Sequence, residues 1–563
     1  MLLKYFKIII FFIILSQNQL YSKSIDNVDI NSKDLSNYFS AILSYNNDNN
    51  AEALKFFNLS KTLINKHDSY LKKYIFSLVL DGQINKAIQE LKYNLDNKNS
   101  DFFEAYLMLT VDSIKKKDFD KSLKYLEILS RYRNKNTIET AVNESLKSYL
   151  EVFIDKNISS KKNRFGNLSI INEAFQNCYL GTKQAENQFS NLINQPNADY
   201  SRYIFFYTHH LINSQKLEKA KKVIRDVDVL TSNLLVYQTK EWVEVKKFEK
   251  FNEIFSCKNE SDIISEFLFL ISTLYSAESN FEKSNFYLYI SNFLNPKFKF
   301  NLTLLADNYY RNKNYKKSEI ILKKFKKNDG IYYWYKLKKK ANIIGHKKTK
   351  KKSLDYINSK FQKINNPSIK IIYDMGNITK SFKEYKMSII YYDRVLSNIS
   401  KNTYIYADIL YRRGSCYERV LDFKNSDKDL LKSLEINPDD AYVLNYLAYS
   451  WLERDYKIND AIKMLELAYS NKKNDPYILD SVGWAYYLIN DFINAEEYMQ
   501  RAIKIMPDDP TVNDHYGDIL WRMDRKIEAR YYWKSVLNFK ETETKTKKII
   551  KNKLIKGLKN LSL

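Results

Sequence analysis

The chain has 563 residues, a formal net charge of +25, a mean hydropathy of −0.50, and only 10 glycines and 7 prolines. With so few turn formers and no recurring apolar–polar alternation, a β-rich fold is excluded, and apolar residues spaced three and four apart predict an all-α chain. The charge resembles a nucleic-acid footprint, but Lys dominates over Arg, and the abundance of Asn, Ile and Tyr points to AT-rich coding acting on exposed helix faces. No nucleic-acid partner is expected.

The chain opens with Lys4 and Lys7 flanking a short apolar run, Ile8 to Leu15, then a polar exit with a small residue at Ser22. Basic flank, short apolar run and small-residue site predict a signal peptide over 1–22. The run is too short for the roughly 20 residues of a spanning helix. The expected location is exported, periplasmic or peripheral to the cell envelope.

From about residue 30 a small-residue rhythm begins. Ala53 follows Ala41 by twelve residues, Ala87 lies 34 beyond Ala53, and Ser122 lies 35 beyond Ala87, with Phe57, Leu91 and Leu126 each four further on. These positions predict degenerate helical repeats over 30–135. Residues 136–330 are divergent: one unit is read at Ala220 and Ile224, and regularity returns at Ser272, Ser284 and Leu288, then Ala306, Ser318 and Leu322. Residues 331–365 are markedly basic around His346 and are expected to be a solvated, flexible junction between two arrays.

The pattern is sharpest over 366–540. Gly376, Gly414, Gly483 and Gly517 each precede a small residue by twelve positions (Ser388, Ser426, Ala495, Ala529), and a large residue follows four later (Tyr392, Leu430, Met499, Trp533). Ala461, Ala495 and Ala529 are spaced by 34. Two helices approach closely only where side chains are small, and large neighbours fill what remains. Asp439-Asp440, Asp475-Pro476 and Asp508-Asp509-Pro510 are suited to cap helix N-termini. Beyond residue 540, Ile550, Leu554 and Leu558 lie one turn apart, predicting a basic helix over 541–563 that caps the array, in preference to one lying on a membrane.

Chemistry is hard to find. The sequence has no HExxH, GxSxG, Walker-type loop or glycine-rich dinucleotide turn. Cys178, Cys257 and Cys416 are far apart; a disulfide between two of them is open, but all three are expected to be small buried thiols. His209 and His210, adjacent on one helix, diverge by about 100° and are expected to be partly exposed; His515 is expected at a surface or interface. No metal, no cofactor and no enzymatic activity are expected, the enzyme reading having only the uninterpreted stretch 135–260 to rest on.

The 34-residue period and the segments Asp480-Ser481-Val482-Gly483-Trp484-Ala485-Tyr486-Tyr487 and Asn513-Asp514-His515-Tyr516-Gly517 resemble tetratricopeptide (TPR) repeats, and behind a signal peptide the chain looks like the long exported TPR proteins of Gram-negative bacteria. The resemblance implies a helix-turn-helix solenoid, a right-handed superhelix in one or two arrays, whose first helices line a groove for a peptide or partner protein. On that pattern the groove-facing residues are Tyr411, Ser415, Asn445, Tyr449, Asp480, Trp484, Asp514 and Asp518, with Tyr487 and Arg522 a turn further on. Rings supply apolar area, and acids receive backbone donors or basic side chains. The implied function is a non-enzymatic scaffold, in envelope assembly. The alternative is a peripheral envelope protein that meets anionic lipid or polysaccharide through Lys-rich surfaces.

Overall fold

A computed structural model describes residues 31–95, 98–132, 137–158, 165–195, 200–225 and 227–558. The expected signal peptide over 1–22 lies outside them. Among the described residues every regular element is helical and there is no strand. The chain divides into two compact units between Ile343 and Ile344.

In the first unit, helices pair with their neighbours in sequence: Ser32–Asn46 with Asn50–Leu59, Phe103–Lys115 with Phe119–Leu129, and Glu260–Ala277 with Phe281–Leu294. The small residues of the sequence rhythm mark the contacts, since Ala41, Ala53, Ala87, Ser122, Ser272 and Ser284 are all sealed from solvent. The unit also coils back on itself. Phe76 stacks on Phe286 with ring centroids 4.5 Å apart, and Asn312 donates to Asp48 at 2.7 Å. Large aromatics therefore fill space between distant helix pairs as well as within pairs.

The second unit is more regular. Five pairs follow one another: Ile369–Ser381 with Tyr385–Leu396, Tyr404–Arg419 with Phe423–Ile436, Ala441–Leu452 with Ile458–Asn471, Pro476–Leu488 with Phe492–Ile505, and Pro510–Arg522 with Lys526–Asn538. Asp440, Asp475 and Asp509 each accept two backbone N–H groups at the start of a first helix, with Pro476 and Pro510 in the first turn. Space at the crossing explains the glycines. A Cβ on Gly517 would lie 2.5 Å from Trp533 Cδ1, and one on Gly376 would lie 2.8 Å from Tyr392 Cε1. The residue sixteen positions after each glycine is therefore what the glycine accommodates.

Three sequence expectations are corrected. The basic stretch read as a loop is helical over Ile331–Lys347 and Lys350–Phe361, because Ile331, Trp334, Leu337 and Ala341 form a buried stripe while Lys336 donates to the Phe325 carbonyl oxygen and Lys339 pairs with Asp307, each at 2.7 Å. Cys178 and Cys257 are joined in a disulfide, and only Cys416 is a free, buried thiol. His209 is buried, not partly exposed, with Nε2 2.8 Å from Asn252 Oδ1, whereas His210 is half-buried. Burial pushes the His209 imidazole down to about 4, which keeps it neutral and structural.

Candidate interaction site

The first helices of the second unit place Tyr411, Asn445, Tyr449, Asp480, Trp484, Asp514 and Asp518 one repeat apart, as their spacing requires. Most of these side chains meet one another instead of standing free. Asp480 accepts a 3.0 Å hydrogen bond from His515 Nδ1 in the next repeat, so of the surface or interface position expected for His515, the surface one is excluded: it is 7% exposed and packed between two repeats. Burial alone would lower the His515 pKa, but the charges of Asp480, Asp514 and Asp518 outweigh it and raise it.

Trp484 stands at the centre. Its ring stacks on His515 at 4.0 Å and on Tyr487 at 4.6 Å between centroids. Its indole N–H donates to Glu453 at 3.1 Å. Tyr449 approaches the His515 ring at 6.4 Å, and Arg522 Nε donates to the Tyr487 hydroxyl at 3.4 Å. A continuous aromatic shelf thus runs across three repeats.

The acids at the C-terminal end are occupied by the chain itself. Lys553, on helix Thr544–Lys556, donates to Asp514 at 2.6 Å and to the two oxygens of Asp518 at 2.7 and 2.8 Å. Trp533 Nε1 donates to Asp518 at 2.9 Å. Burial holds the Asp518 carboxyl up to about 6, against the pull of Lys553. The same helix buries Ile550 completely and rests Leu554 and Leu558 on the final apolar cluster. Sequence reasoning found the acids and the apolar stripe separately. It missed that Lys553 joins them, since the pairing partner comes from outside the repeat register.

The other end is different. Tyr411 meets the edge of Tyr446 at 5.7 Å, and Lys380 lies 5.7 Å over the Tyr411 ring while donating to Ser415 Oγ at 2.5 Å. Between these residues and Tyr449, Asn445 keeps its side-chain oxygen buried with no hydrogen-bond donor among the described residues. Among the described residues no group of three or more His, Cys, Asp or Glu side chains is placed to hold a metal ion, and no helix is long and apolar enough to cross a membrane.

Residues 407–440 and 478–509 match the family described as Tetratricopeptide repeat. Over 111 residues the chain is 32% identical to the TPR repeat-containing protein PA4667 of Pseudomonas aeruginosa, a stretch covering 20% of this chain and 19% of that protein. Similar solved structures include MamA from Desulfovibrio magneticus RS-1, at 17% identity over 31% of this chain and 97% of that one, with a TM-score of 0.27. Another is pilF of Pseudomonas aeruginosa, at 16% identity over 32% of this chain and 79% of that one, with a TM-score of 0.28.

Proposed function

We propose that this chain, which carries tetratricopeptide repeats, is an exported scaffold without catalytic activity that holds a peptide segment of a partner protein on the first-helix face of residues 366–540, in the service of envelope assembly. The observation that carries the reading is the buried Asn445 side-chain oxygen with no donor. An unmet buried acceptor costs about 1–3 kcal/mol, and a turn of the half-buried Asn445 side chain brings it to a backbone N–H of an extended peptide. Tyr411 and Tyr449, one repeat to one side and one turn to the other, supply ring area for the flanking side chains. Asp514 and Asp518 already hold Lys553, so the peptide lies toward Tyr411, Asn445, Tyr449 and Trp484. Export is supported by the character of residues 1–22 and by the Cys178–Cys257 bond, since disulfides persist in oxidising compartments.

The test is capture from an envelope extract by the chain from residue 23 onward, at low and at high salt, against a variant carrying Asn445→Leu and Tyr449→Ala. A protein retained at high salt by the parent and lost by the variant, with both melting alike, is the expected result. Retention of lipid or polysaccharide alone, or of material seen only at low salt, or equal capture by the variant, defeats the proposal.

A further inference from the structure

The Cys178–Cys257 bond joins the last turn of helix Asn167–Leu180 to the segment between Glu249–Ile254 and Glu260–Ala277. Both cysteines line a cavity of about 590 Å³, and they share it with His210, Lys183, Lys216 and Lys258. Two features set this bond apart from a passive staple. His210 Nδ1 lies 3.6 Å from Cys178 Sγ, so the Cys178 sulfur has a ring nitrogen in contact. The two segments are also tied independently of the sulfurs. Tyr179 donates its hydroxyl hydrogen to Glu260 at 2.8 Å, and the Lys258 ammonium donates to the Tyr179 carbonyl oxygen.

We propose that this cavity is a thiol–disulfide exchange site for a small anionic thiol, with Cys257 the attacked sulfur and Cys178 the leaving group. The thiolate of the incoming molecule forms a bond to Cys257 Sγ as the Cys257–Cys178 bond breaks. The departing Cys178 sulfur takes the electron pair and leaves as a thiolate, held by a hydrogen bond from His210 Nδ1–H, and is then protonated by solvent. A second ligand thiolate then attacks the sulfur of the first, releasing the symmetrical disulfide of the ligand and Cys257 as a thiolate, which solvent protonates. Two electrons pass from two thiols to the protein bond, and the two protons the ligand thiols lose to solvent equal the two the cysteines take up. Exchange is favoured by a well-stabilised leaving thiolate, and nearby cations lower a thiol's pKa.

The lysines select the ligand. Lys183, Lys216 and Lys258 face the cavity against the single carboxylate of Glu186, which Lys216 and Lys219 both engage. This surplus attracts a thiol of net negative charge and repels one of net positive charge. The Tyr179–Glu260 and Lys258–Tyr179 ties keep the two thiols adjacent after reduction, so the bond re-forms without a search.

The experiment uses the full chain and follows loss of the bond by alkylation and mass spectrometry under native conditions, with circular dichroism to report the fold. Reduced glutathione and cysteamine are compared, each scaled to its rate with an unstructured peptide disulfide. The expected result is at least a tenfold advantage for glutathione, a glutathione adduct on Cys257, and a retained helical signal. Replacing Lys183 and Lys216 by Gln is expected to abolish the advantage by slowing glutathione and speeding cysteamine, and His210→Gln to slow both thiols several-fold. Reduction only on unfolding, equal scaled rates, or an adduct on Cys178 would each overturn the assignment. If His210→Gln fails to fold, the ligand comparison and the adduct position still decide the matter.

Discussion

Asp480 and His515 lie 35 positions apart, about one repeat, and are joined by a 3.0 Å hydrogen bond inside the second unit. The pair links two successive first helices through a titratable contact. His515 is held above its ordinary value once the charge of Asp480 has outweighed burial. A group whose folded-state pKa is raised contributes stability that is complete below its unfolded value, about 6.5, and is lost as pH rises through the folded value. Thermal melting between pH 5.5 and 8.5 should therefore show stability falling with pH, and His515→Gln should flatten that slope. Parallel slopes for the two proteins would contradict this account.

Lys553 neutralises two largely buried carboxylates. Breaking such a pair from one side leaves uncompensated buried charge, at a cost of about 3–5 kcal/mol. Lys553→Met should release helix Thr544–Lys556, which limited proteolysis would detect as cleavage between residues 541 and 558 in a chain whose earlier repeats resist. Restoring neutrality with Asp514→Asn and Asp518→Asn in the Lys553→Met background should recover much of the loss.

Gly517 gives a prediction opposite in sign to helix propensity. In an exposed helix Gly→Ala gains about 1 kcal/mol. Here the new methyl meets the buried Trp533 ring at 2.5 Å and the Ala529 carbonyl oxygen at 3.2 Å, and Trp533 is sealed from solvent with nowhere to swing. Gly517→Ala should destabilise the second unit by about 1–3 kcal/mol through overpacking, measured by chemical denaturation. A gain in stability would show that the Trp533 contact is soft.

Arg202 offers a test in the first unit. Its guanidinium forms two hydrogen bonds to Glu266 at 2.7 and 2.5 Å, lies 3.9 Å over the Phe269 ring, and faces a carboxylate only 2% exposed. Arg202→Met should cost about 3–5 kcal/mol, and adding Glu266→Met should restore most of it. If the double variant is no better than the single one, the ion pair is required for more than charge balance.

The repeat fold was legible because its determinants are local in register: Gly483, Ala495 and Met499 lie within one helical pair, and their spacing encodes the contact. The capping role of Asp475 and Asp509 was legible for the same reason. What escaped were relationships between pairs. Cys178 and Cys257 are 79 positions apart, and no period in the sequence connects them. Spacing does not decide between surface and interface for His515, because its partner lies one repeat back, where spacing alone does not separate a packed ring from an exposed one. The basic stretch around His346 was misread because composition was weighed above the buried stripe from Ile331 to Ala341. Tyr411, Asn445 and Tyr449 were placed on the first-helix face from spacing; the unmet oxygen of Asn445 became visible only in three dimensions.

The docking of helix Thr544–Lys556 also bears on how a cell would inspect this chain. Asp514 and Asp518 are made before the lysine that neutralises them, and Ile550 covers an apolar end that stays bare until it arrives. A chain severed between Asp518 and Ile550 would present two unbalanced acids beside an uncovered greasy surface. Chaperones and proteases recognise surfaces of that kind, so damaged or unfinished copies would be marked for removal by the same contact that completes intact ones.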